Sequence, residues 1–203
     1  MSFDQMMIHF ASPTVCGIKP ANLFSVKEEQ FSWLDFAKWR SEFAKHGIIA
    51  RTVKSSGGVN LVLVYNVCWQ RKILADDFVC DYLKSKGYCE CSDVSKTISR
   101  LICRIKTENG FPHEIGIVLG YPVLDVAAFE KHEGQNCKYC GSWESYTDVE
   151  HARKCTCRYK NCSHVCKKWF DEGYSLSQIV EKYKKHCGSC LKSLLPQSIR
   201  SVK

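Results

Sequence analysis

Apolar residues along this chain recur with two different periods, and the alternation of those periods predicts the elements. From Glu28 to Lys45 the large side chains Trp33, Phe36, Trp39 and Phe43 return at steps of three and four, and Gly47 follows, which predicts an amphipathic helix and its stop. IIARTV (48–53) and VNLVLVY (59–65) are β-branched runs divided by SSGG, the pattern of an antiparallel hairpin. Leu74, Phe78 and Tyr82, widened by Val79 and Leu83 and stopped at Gly87, predict the next helix. Ser92 or Asp93 then caps a helix with Val94, Ile98, Leu101, Ile102 and Ile105 on one face, ended by Asn109-Gly110. Asp148 caps a long helix to about Phe170, and Ser175 with Gln178 forms a capping box for a last helix striped with Leu176, Ile179, Val180 and Tyr183. Residues 6–24 carry Pro13, Gly17 and Pro20 and predict an extended, looping segment instead.

These elements predict an α+β fold: a small, mainly antiparallel sheet around residues 48–65 with helices packed on it, and more helix than strand. The expected division is an α+β core over 1–134, a helical, cysteine-rich lobe over 135–186 and a tail over 187–203 without firm pattern.

Within this plan FPHEIGIVLGYP (111–122) stands apart. Pro112 suits the first turn of a helix, where its missing N–H costs nothing, and this places His113 and Glu114 among the first helical residues. Glu114 favours the positive helix end, and Gly116 and Gly120 permit close backbone approach. Tyr121-Pro122 then turns the chain into a second helix, VLDVAAFEKH. A histidine titrating near neutrality beside a carboxylate is a candidate for proton exchange or metal binding, with Glu114 orienting His113. The competing structural reading is a packed helical corner with Glu114 as dipole partner. A third resemblance is to a helix-turn-helix, but the second helix offers Asp125, Glu130 and Lys131 and none of the Arg, Asn or Gln side chains that pair with base edges.

Composition narrows the classes of function. With 203 residues, 45% apolar, the chain has material for one sizeable core or two small ones. Its start lacks the basic leader and apolar stretch of a signal peptide, and the longest apolar run, Ile115 to Phe129, is broken well short of the ~20 apolar residues of a membrane helix, so a cytoplasmic protein without membrane association is expected. Of the net charge of +8, residues 131–203 hold +7 (14 basic, 7 acidic). That asymmetry supports an alternative reading as a nucleic-acid or protein-binding module using the basic lobe, beside the simpler reading of a solvated lysine face.

In a reducing compartment the 14 cysteines must be buried thiols, metal ligands or redox groups. Cys137 and Cys140 have the knuckle spacing for zinc or iron, with a second pair available among Cys155, Cys157, Cys162, Cys166, Cys187 and Cys190; a site of Cys137, Cys140, Cys162 and Cys166 is the expectation carried forward. Cys155, Cys162 and Cys166 also fall on one helix face with Tyr159 and Trp169, which buried thiols acting as small hydrophobes would explain. Cys187-Gly-Ser-Cys190 has dithiol spacing but follows a helix carboxyl end, which raises thiol pKa values.

FPHEIGIVLGYP followed by DV, with SPTVCGIKPANLF (12–24), the LVLVY strand, GSWESY (141–146), YKNC and GYSLSQIV, resembles an uncharacterised bacterial family, mostly clostridial, marked by Pro-His-Glu and Leu-Gly-Tyr-Pro motifs. The resemblance covers roughly residues 8 to 183 and carries no activity. It singles out Lys19, Tyr65, His113, Glu114 and Tyr121 as the matching positions able to do polar work, with Lys19 expected to meet an anionic group of a small-molecule ligand. Ala11 stands where the family often has cysteine, and Asn66 where arginine commonly follows the strand tyrosine.

Overall fold

Gly57 and Gly58 both adopt left-handed φ values, 61° and 74°, in the computed structural model, and a conformation so unfavourable for other residues reverses the chain within two positions. The structure describes residues 2–108 and 111–187, apart from the side chains of Ser55, Ser56 and Cys187. Around that turn β2 (Ile48–Ser56) and β3 (Val59–Asn66) form the expected antiparallel hairpin, with a bulge between Thr52 and Lys54. A further strand, β1 (Ala21–Lys27), pairs antiparallel with β3 from Ala21↔Tyr65 to Lys27↔Val59, so the sheet order is β1-β3-β2. Flanked on both edges, β3 buries Val62, Leu63 and Val64 completely.

The looping segment expected over residues 6–24 is instead a helix followed by that strand. Helix α1 (Phe3–Val15) starts where Ser2 Oγ accepts the Gln5 N–H and continues through Pro13. Pro13 has no N–H to pair with the His9 carbonyl, and the burial of Met6, Met7, Ile8, Ala11 and Val15 outweighs that loss. The Pro13 carbonyl then accepts from both Ile18 and Lys19 N–H as the chain leaves the helix.

Backbone contacts divide the described chain into two compact units, one formed by the residues up to Trp69 with those from Asn161 onward, the other by Gln70 to Lys160. In the first, α2 (Trp33–Ala44) covers the sheet with Phe36, Trp39 and Phe43. Phe3 of α1 meets Phe31 and Phe36 edge-on. Trp33, at the head of that stripe, stays 55% exposed.

Elements α3 (Val67–Ile73), α4 (Asp77–Ser85) and α5 (Val94–Thr107) follow. Asp76 caps α4 by accepting the Phe78 and Val79 N–H groups, and that start turns Val79 and Leu83 inward while Phe78 is 69% exposed. The expected stripe was therefore offset by one position. Asp93 caps α5, whose Ile98, Leu101, Ile102 and Ile105 are buried as the periodicity requires; the Asn109-Gly110 stop lies outside the described residues.

Next come α6 (Ile115–Leu119), α7 (Val123–His132) and a two-residue ladder of β4 (Tyr139–Cys140) with β5 (Glu144–Ser145). Asp148 accepts from the His151 N–H at the head of α8 (Val149–Asp171). The Ser175/Gln178 capping box forms in both directions before α9 (Leu176–Cys187). The fold is α+β, helices exceed strands, and no helix among the described residues is long and apolar enough to cross a membrane.

Candidate functional site

The corner between α6 and α7 is built by its glycines. Gly120 ends α6 at φ 86°, its N–H reaching back to the Gly116 and Ile117 carbonyls, and Tyr121 N–H also bonds the Gly116 carbonyl at 2.8 Å. A Cβ on Gly116 would lie 2.7 Å from Val126 Cγ2 and 3.1 Å from Tyr121 Cδ2, so only glycine lets α7 approach this closely. His113 and Glu114 occupy the turn leading into α6, one step ahead of the helix in which they were expected.

Their side chains part company there. Glu114 is buried, and its carboxylate pairs with Arg104 Nη1 at 2.5 Å and accepts the Tyr88 hydroxyl at 3.1 Å. Arg104 also donates to the Lys86 carbonyl, so Glu114 closes a network tying the turn to α5 and the end of α4. Burial and the neighbouring Glu114 carboxylate push the Tyr88 phenol well above the usual tyrosine range, which keeps it a neutral donor. His113 is exposed, its ring 5.4 Å from that of Phe129.

A cleft of about 450 Å³ opens beside His113, walled by Phe111, Ile115, Tyr121, Val126, Phe129 and Trp143. Tyr121 and Trp143 stack at 5.4 Å and 23°, and burial raises the Tyr121 phenol to about 12. Asp125 and Glu144 also reach the lining. Asp125 is fully committed: its carboxylate accepts from Trp143 Nε1 (2.7 Å), Tyr146 N–H (3.0 Å), Thr147 N–H (2.9 Å) and Thr147 Oγ1 (2.7 Å), clamping the segment around β5 onto α7. Glu144 accepts the Tyr146 hydroxyl at 3.3 Å and retains acceptor capacity.

Lys19 and Tyr65, the other polar positions expected at a site, belong to the first unit. Both are buried; desolvation lowers the Lys19 pKa to about 8 and raises that of Tyr65.

The cysteines divide likewise. Cys162 and Cys166, one turn apart on α8, are fully buried, and Cys16, where α1 ends, joins them: Cys16 Sγ lies 3.5 Å from Cys166 Sγ, which is 3.9 Å from Cys162 Sγ. All three sulfurs stand within 4.8 Å of one another, a group that can hold a metal ion. Cys137 and Cys140 flank and occupy β4, half-buried and exposed, and are not part of that group. The Cys187 side chain and Cys190 lie outside the described residues.

A family described as protein of unknown function (DUF3793) matches residues 7–180. The chain belongs to this family. No curated protein and no solved structure matches it. The DUF3793 match spans the α6–α7 corner, the cleft and all three clustered cysteines.

Sequence reasoning missed Cys16, Trp143 and Asp125 as members of these sites. In the sequence Asp125 stands out only as one of the polar side chains of the second helix. Its value as a clamp depends on a loop about twenty residues later in the chain, which periodicity does not register. Cys16 carried no signal of its own, since its partners are about 150 residues away.

Proposed function

We propose that this protein binds a small, largely planar and apolar molecule in the cleft beside the Pro-His-Glu turn. The observation that supports this reading is the lining: four aromatic rings and two aliphatic side chains enclose about 450 Å³, within the size range of ligand sites, and polar atoms are few. His113 and Glu144 supply the orientation. A histidine imidazole can give or take a proton from the ligand, and a carboxylate with spare lone pairs suits an amine or N–H group. Glu114 serves this site through the backbone, because its pairing with Arg104 and Tyr88 holds the turn that presents His113. A cytoplasmic setting, in which thiols stay reduced, is part of this reading.

The test is a screen of the full chain by ligand-observed NMR against aromatic fragments with and without an amine, with hits followed by calorimetry. Phe111 and His113 are exposed, so Phe111→Ala and His113→Ala remove cleft surface without touching the core. Each variant is expected to weaken the best fragments roughly tenfold, the ~1.4 kcal/mol worth of one well-packed ring. Affinities unchanged in both variants, or no fragment binding at all, would overturn the reading.

A further inference from the structure

We propose that Cys16, Cys162 and Cys166 form a binding site for a soft, thiolate-seeking metal ion of the Zn(II) or Cu(I) type. This site is independent of the aromatic cleft, with which it shares no residue.

Geometry carries the inference. Zinc binds cysteine sulfur at about 2.3 Å, so thiolates around one tetrahedral ion stand about 3.8 Å apart, and three around a planar ion about 4 Å apart. The sulfur separations of 3.5 and 3.9 Å already lie within about 0.5 Å of those values. The three ligands come from rigid places: two from adjacent turns of the 23-residue helix α8, one from the capping end of α1. Ser12 Oγ donates to Ser163 Oγ at 3.3 Å, a second bond between the same two helices that holds them in register.

The donor set selects the metal. Among the described residues sulfur is the sole donor type in the group, no carboxylate or imidazole belongs to it, and hard ions such as Mg(II) or Ca(II) are thereby disfavoured. Burial of all three side chains leaves the site closed, which suits a structural ion or a three-coordinate Cu(I) better than a catalytic zinc carrying exchangeable water. The thiolate, not the thiol, is the form of cysteine that ligates a metal. Binding therefore exchanges thiol protons for the cation, releasing up to three protons to solvent, and affinity falls as pH falls.

The experiment uses the full chain purified under anaerobic, reducing conditions. Metal content is measured as isolated, and metal-free protein is titrated with Co(II) as a spectroscopic stand-in for zinc and separately with Cu(I). The expected result is one ion per chain, a sulfur-to-metal charge-transfer band, and about three sulfur neighbours by X-ray absorption. A quadruple variant, Cys137→Ser/Cys140→Ser/Cys187→Ser/Cys190→Ser, removes the two Cys-x-x-Cys pairs without touching the cluster and should keep the band and the stoichiometry. Cys16→Ala should lose both. Should Cys16→Ala fail to fold, Cys162→Ser, which keeps a side chain of similar size, takes its place and should likewise lose the band and the stoichiometry. Absence of any thiolate–metal band in the wild type, or its loss in the quadruple variant, overturns the proposal, and a Co(II) response against a Cu(I) response distinguishes the two ions.

Discussion

Asp125 and Trp143 are joined by a 2.7 Å hydrogen bond from the indole Nε1 to the carboxylate, and this bond holds one wall of the cleft onto α7. Three more donors from Tyr146 and Thr147 converge on the same buried side chain. The acid is thus an anchor for the GSWESY segment, and the cleft exists because the anchor holds.

Asp125→Ala leaves those donors without an acceptor. Each buried orphan costs about 1–3 kcal/mol, partly relieved where water can enter, so a loss of about 3–5 kcal/mol is expected in urea unfolding. Asp125→Asn keeps an acceptor oxygen and should lose distinctly less. Equal stability of the Ala variant and the wild type would disprove the clamp.

The Glu114–Arg104–Tyr88 network predicts a graded series. Glu114→Gln strands Arg104, which keeps Glu108 as a second partner, and should cost about 3 kcal/mol. Tyr88→Phe removes one charge-assisted bond and should cost about 1.5 kcal/mol. A double-mutant cycle showing no coupling between the two sites would contradict the shared network.

Gly116→Ala places a methyl group 2.7 Å from Val126 Cγ2. Helix α7 must yield, at about 1–3 kcal/mol, and the cleft between Gly116 and Val126 changes shape with it. Thermal unfolding should show the loss, and fragment affinity should fall in parallel.

Lys19 predicts a pH dependence. Its folded pKa of about 8 lies below the ordinary 10.5 of the unfolded side chain. Between those values the unfolded state holds more protons, so this residue makes stability rise as pH climbs from 8, and its unfavourable contribution is present in full below 8. Buried tyrosines such as Tyr121 oppose the rise once pH approaches their ordinary 10.0. The clean comparison is wild type against Lys19→Gln in denaturant titrations from pH 7 to the tyrosine range, where the variant should show the flatter profile.

Much of the architecture was legible in one dimension. The hairpin around Gly57-Gly58, the stripe of α5, the start of α8 at Asp148 and the capping box at Ser175 rest on neighbours within a few residues, and each formed as the pattern required. Where reading failed, a longer range won. Helix α1 runs through Pro13 because tertiary burial of its apolar face outweighs a local breaker, and Phe78 points outward because the Asp76 cap sets the phase of α4.

The candidate sites follow the same division. His113 and Tyr121, both read from the motif, line the cleft, because the motif itself makes the turn. That Glu114 would face Arg104 instead of His113, that Trp143 would supply a wall, and that Cys16 would meet Cys162 and Cys166 were decided by packing. By itself, the order of residues determined which segments become helix or strand from α2 onward, α1 and β1 excepted, since those choices are made by backbone and side chain within a few positions. Which side chains share a site was decided only by tertiary structure, because burial free energy depends on surfaces brought together from far along the chain and leaves no periodic trace in it.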